Sequence, residues 1–218
     1  MQEVNTMAES RGIRSISPEG MLKRGRVNIP GMQETIWQPL YDYQTKIAAA
    51  VNSQRFFVDP IGTGGKTIAD TNMELSGQIP KGQVFMITGI QVELYPGVNI
   101  NTAAASSYAD DIRAFYQAGA LKLKIGSKDF VVQGNLMKFP PVNRLAMESS
   151  VISDAAAAPL IISYQYAVAA GREFAVAGLT LESNQNFSVE LLELAALPSG
   201  QNARIGVTLN GYLGRNAQ

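Results

Sequence analysis

The stretch 60-PIGTGGKT-67 decides between two fold classes. It ends in Gly65-Lys66-Thr67, as a phosphate-binding P-loop does, and a P-loop belongs to a parallel α/β sheet. The motif G-x-x-x-x-G-K-T would place its first glycine at position 60, where this chain has Pro60. Such a loop binds phosphate by turning successive backbone N–H groups inward, and proline has no N–H and a fixed φ. The segment that should open a helix, 67-TIADTNMELSG-77, is a poor helix former and reaches a glycine before completing a third turn. The competing reading fits better. Gly62, Gly64 and Gly65 permit positive φ in a long loop between two strands, and Lys66 is a solvated or interface side chain.

The surroundings favour β structure. Downstream, 83-QVFMITGIQVELY-95 reads as a long strand whose apolar line slips by one residue at Gly89, the mark of a bulge. In 120-ALKLKI-125 strict alternation sends Leu121, Leu123 and Ile125 inward, and Gly126-Ser127 turns the chain into 128-KDFVVQ-133 as a hairpin. The stretch 36-IWQPLYDYQ-44 is an edge or bent strand because of Pro39, and 46-KIAAAV-51 and 55-RFFV-58 follow. Toward the C-terminus, 160-LIISYQYAV-168, 173-EFAVAGLTLES-183, 186-NFSVELLEL-194 and 204-RIGVTLNGYLGRN-216 complete the strands. A bulge is expected at Leu191-Leu192, and either a hairpin or a bulged continuation at Asn210-Gly211. Residues 146–158, rich in alanine and serine, read as a loop with a short helix. Only 108-YADDIRAFYQAG-119 has good helical periodicity, with Gly119 placed to end it. Eight or nine strands with one helix and no β–α alternation predict an all-β antiparallel sandwich or barrel over residues 35–218, with the sandwich preferred.

Residues 1–34 differ. They carry Arg11, Arg14, Lys23, Arg24 and Arg26, lack sustained periodicity and read as an extended arm. The N-terminus has no apolar core of a signal peptide. The uncharged stretch 155–171 is short, alanine-rich and broken by Pro159 and Gln165, so it reads as a buried strand with its lead-in rather than a membrane span.

Composition removes whole classes of chemistry. Among 218 residues there is no cysteine and no histidine, so disulfides, thiol nucleophiles, imidazole bases and the commonest zinc ligands are absent. Lysine and arginine total 18, matched by 18 aspartates and glutamates, which argues against a surface given over to nucleic acid and leaves self-association open. Asp110 and Asp111 point about 100° apart on a helix, form no chelating pair, and read as a solvated face or as charges at the helix N-terminus. Asp59, Asp70 and Glu74 flank the glycine loop and offer the oxygen ligands calcium or magnesium takes, at a spacing that matches no known ligand loop. Neither a cofactor, a small-molecule substrate nor an enzymatic role is expected.

An antiparallel sandwich with glycine-rich loops and a basic arm resembles the jelly-roll viral capsid proteins. The stretches 36-IWQPLYDYQT-45, 62-GTGGKTIADTNMEL-75 and 203-ARIGVTLNGYLGRN-216 are similar to uncharacterised virion-type proteins of environmental bacteriophages. The resemblance implies a single jelly roll and a virion protein made in the host cytoplasm. It implies many copies, on a trimer-based plan or another, meeting each other and other virion proteins through edges, loops and arms. Carried onto this chain, Arg11, Arg14, Lys23, Arg24 and Arg26 become the candidates for contact with genome, internal membrane or a neighbouring subunit. The alternative is a β-sandwich that binds a receptor or glycan at a virion or cell surface.

Overall fold

Alternation of apolar and polar residues builds two antiparallel sheets around one core. A computed structural model describes residues 29, 32, 34–97, 107–140, 147–153, 160–166 and 173–216. The first sheet holds Glu34–Trp37 (β1), Leu40–Lys46 (β2), Gln83–Tyr95 (β4), Phe174–Leu181 (β9) and Ala203–Arg215 (β11). In it β1 and β2 pair with one edge of β11, β11 pairs with β4, and β4 with β9. The second runs β3–β10–β5–β6, from Gln54–Phe56 (β3), Phe187–Leu192 (β10), Ala120–Ile125 (β5) and Lys128–Gly134 (β6). A separate pair, Met147–Ser153 (β7) and Leu160–Tyr166 (β8), lies between β6 and β9 in sequence.

The connections wrap rather than meander. The chain passes from β2 to β3, β4 to β5, β6 to β9 and β10 to β11, changing sheet each time. Three of the turns meet at one end: Gly77 donates to Phe57, Phe187 donates to Gly77, and Gly126 donates to Asn186. At the other end Ala48 donates to the Asn202 side chain, Leu197 donates to Ala48, and Ser199 donates to Asp111.

Inward side chains of both sheets fuse into one cluster, with Ile87, Ile90, Val92, Ile205 and Val207 facing Leu121, Leu123, Val189 and Leu191. The helix Ser107–Ala118 (α1) closes one end of it with Phe115. Tyr116 donates its hydroxyl to the Val92 carbonyl, and Val92 N–H donates to Phe139, so β4 stays satisfied beyond the reach of β9. Gly119 ends the helix as expected, packed against Leu136 and Leu194 with no room for a Cβ.

The Gly89 bulge is present: Asn210 pairs with Gly89 and Gly211 with Ile87, leaving Thr88 as the extra residue. Pro39 splits β1 from β2, yet both keep one register on β11, with Trp37 opposite Tyr212 and Leu40 opposite Leu209. β11 itself continues through Asn210-Gly211, so that pair is no hairpin turn.

Four local expectations are overturned. The strand ends at Lys46 and 47–51 is a turn, where the buried Lys46 ammonium donates to the carbonyls of Ile47 and Ala50. Residues 147–153 form a strand, since a ladder with β8 outweighs alanine–serine composition. Leu191-Leu192 carries no bulge, because β10 keeps one register on β5 up to Leu192, and the chain turns only at Glu193, where φ is 55°. Asp111 is buried rather than solvated, where it accepts from Ser199 N–H.

Candidate functional site

The glycine loop folds on itself. Thr63–Gly65 is a short 3-10 turn, with Gly62, Gly64 and Gly65 at φ of 88°, 62° and 80°. Thr63 N–H donates to Pro60 and Lys66 N–H to Thr63, both at 3.1 Å, and Gly62 N–H donates to Lys66 at 2.8 Å. These N–H groups are spent inside the loop and point at no ligand.

Lys66 is drawn inward, which corrects the expectation of a solvated side chain. Its ammonium lies 2.6 Å from Asp42 Oδ1, and Asp42 is fully buried. The cause is β alternation: Leu40 faces the core, so Asp42 two residues on faces it too. Asp42 Oδ2 accepts from Phe57 N–H at 2.7 Å and from Gln44 Nε2 at 3.5 Å. Burial pushes the Asp42 carboxyl above its ordinary range, and the bonds from Lys66 and Phe57 pull against that.

Beside this pair lies a cleft of about 440 Å³, between the glycine loop and the outer face of β2 and β11. Its walls include Tyr43, Gln44, Asp59, Lys66, Asp70 and Arg204. Gly206 makes room for the Tyr43 ring, whose carbon stands 2.2 Å from where a Cβ would be. The Arg204 guanidinium sits 4.5 Å from the centre of that ring and donates to Ala69 O at 2.6 Å and Asp70 Oδ1 at 3.0 Å. Asp70 Oδ2 accepts from Thr67 N–H and Oγ1, and these bonds hold its carboxyl below the usual range. Below the cleft, Tyr43 donates to Glu93 Oε2 at 2.7 Å and Tyr95 to the same oxygen at 2.9 Å. Burial, reinforced by Glu93, pushes the Tyr43 hydroxyl far up, so it remains a donor.

Chemically, both cations of the cleft already hold a carboxylate, Lys66 that of Asp42 and Arg204 that of Asp70. So engaged, neither cation is left free to hold a phosphate. Of the expected oxygen ligands, Asp59 and Asp70 share the cleft while Glu74 is exposed. Among the described residues no group of three or more acidic side chains is placed to hold a metal ion. Arg11, Arg14, Lys23, Arg24 and Arg26 lie outside the described residues. Sequence reasoning missed Asp42, Tyr43, Glu93 and Arg204. The one available signal was a carboxylate at an inward position of an alternating strand.

Elsewhere, Glu190 on the outer face of the second sheet accepts from Arg55 Nε at 2.9 Å and lies 3.4 Å from Lys122. It is a solvent-side ion network. No helix among the described residues is long and apolar enough to cross a membrane. No protein-family model matches the chain, and neither the curated proteins nor the solved structures contain a match to it.

Proposed function

We propose that this protein is a virion structural protein, a single jelly roll that assembles with copies of itself into a shell. The strand order carries the reading. Counting β2, β3, β4, β5, β6, β9, β10 and β11 as one to eight, the sheets run 1-8-3-6 and 2-7-4-5. That order supports the reading of a jelly roll, an architecture that viral capsid proteins use. Fold alone does not fix function. Two further features support a role in assembly. Net charge is zero, so copies meet without repulsion, and large apolar side chains such as Trp37, Ile68, Phe130 and Val132 stand exposed. The glycine loop then serves as a strand connection at the subunit surface. The full chain, concentrated and imaged by negative-stain electron microscopy, is expected to form closed particles or discrete rings. A chain that stays monomeric at millimolar concentration in sedimentation overturns the proposal.

The polar cleft favours a second reading, a surface module that binds a glycan. Its test is a glycan array followed by calorimetry on the hit. Arg204→Ala is expected to abolish saturable binding, and an array without hits removes this reading.

A further inference from the structure

The charged side chains lining the cleft beside the glycine loop are Asp59, Lys66, Asp70 and Arg204. Lys66 lies 2.6 Å from Asp42, behind the cleft, and Arg204 lies 3.0 Å from Asp70. Asp59 stands apart from both pairs. Among the described residues it has no ion pair and no hydrogen bond. The cations are therefore matched one to one, and the Asp59 carboxylate is left over in a concave, half-buried place.

An unmatched negative charge in a cleft favours a cation. A metal ion is the wrong one. Calcium and magnesium take about six to eight oxygen ligands, and among the described residues no group of three or more acidic side chains is placed to hold one. A protonated amine needs a single carboxylate and a few hydrogen-bonding neighbours.

The walls bear on what carries that amine. At about 440 Å³ the cleft has the size of a small-ligand site, roughly 300–1,000 Å³. Among the described residues no valine, leucine, isoleucine or methionine lines it. Gly64 and Gly65 contribute backbone alone, Gln44 and Thr45 are polar, and the Tyr43 ring already carries the Arg204 guanidinium 4.5 Å from its centre. The methylenes of an aliphatic amine would bury against no apolar wall there. Hydroxyl groups would keep hydrogen-bonding partners.

We infer that the cleft binds an amino sugar whose nitrogen is unacetylated and protonated, with Asp59 as its counter-ion. The inference rests on the glycan reading and names its substrate class.

Calorimetry on the full chain tests this with a glucosamine trisaccharide, its N-acetylated counterpart and cadaverine. The free amino sugar is expected to bind at least about tenfold tighter than the acetylated one, since charge-assisted hydrogen bonds are roughly twice as strong as neutral ones. Cadaverine is expected not to saturate. Asp59→Asn should abolish the preference and leave the thermal melt where it is, because Asp59 has no partner to lose. Equal or tighter binding of the acetylated sugar, or a preference that survives Asp59→Asn, overturns the amine assignment while the glycan reading stands. Saturation by cadaverine at the same affinity overturns the sugar as its carrier. If neither trisaccharide binds but the array yields another glycan, the amine assignment falls alone. If the array is blank as well, both fall.

Discussion

Lys66 ends a stretch that imitates a phosphate cradle, and its partner is a buried aspartate. Removing the ammonium leaves Asp42 charged in the core without its counter-ion. Lys66→Met is therefore expected to destabilise the fold by roughly 3–5 kcal/mol in a urea melt, the usual consequence of breaking a buried pair. Asp42→Asn in the same chain should recover much of that loss, because no buried charge then remains. A P-loop lysine would behave otherwise, losing nucleotide binding with little effect on stability. Acid response divides by site. Arg55 and Lys122 hold the Glu190 carboxyl below its ordinary 4.5, so this group stabilises the fold above that value and stops doing so as pH falls through the lowered one. Glu190→Gln is expected to be less stable than wild type at pH 7, by about 1 kcal/mol or less, with the gap closing as acid protonates the wild-type carboxylate. Asp42 has the opposite sign. Its raised carboxyl favours the fold below its unfolded value near 3.8, and that contribution is lost as pH rises through the folded value.

At the scale of the element, β11 is the spine of the first sheet, and two of its glycines allow close approach there. A Cβ on Gly211 would stand 2.2 Å from the Met86 carbonyl oxygen, which is backbone, whereas one on Gly206 would strike the Tyr43 ring. A ring can swing and a ladder cannot. Gly211→Ala should therefore cost more than Gly206→Ala, both within about 1–3 kcal/mol as overpacking does. Thermal melts of the two variants check the order, and equal losses would mean that the ladder at the bulge gives way. The elements themselves were largely legible. Period-two alternation marked β4 and the β5–β6 hairpin, the phase slip at Gly89 marked the bulge, and a single helical face marked α1. Partnership was not legible, because it is long-range. Nothing local ties Lys66 to Asp42 or Arg204 to Asp70, separated by 24 and 134 residues. Residues 147–153 were misread for the same reason, since their ladder lies in another strand and not in their own composition.

For the whole molecule, the wrapped strand order and a net charge of zero leave one question of charge, the cations near the N-terminus. The body balances its own ions in pairs such as Arg215 with Glu34, 2.6 Å apart, and Arg204 with Asp70. Arg11, Arg14, Lys23, Arg24 and Arg26 precede it in sequence, where net charge is set by few acids. On the shell reading these five cations face genome, internal membrane or a neighbouring subunit, and the three partners answer differently to their loss. Replacing all five by glutamine leaves 13 cations against 18 anions, a net charge of −5. If the partner is nucleic acid, particles of the variant are expected to carry less of it. Their binding should also lose about 4.5 units of the slope of log K against log salt, roughly 0.9 per phosphate contact for duplex DNA. If the partner is an anionic membrane, co-sedimentation with phosphatidylserine vesicles falls while nucleic-acid content holds. If it is the next subunit, assembly fails outright and the melt of the isolated chain stays where it was. A variant that assembles, packages and binds vesicles as wild type does would show that the arm's charges serve none of these contacts, and would leave shell formation to the sandwich and its edges.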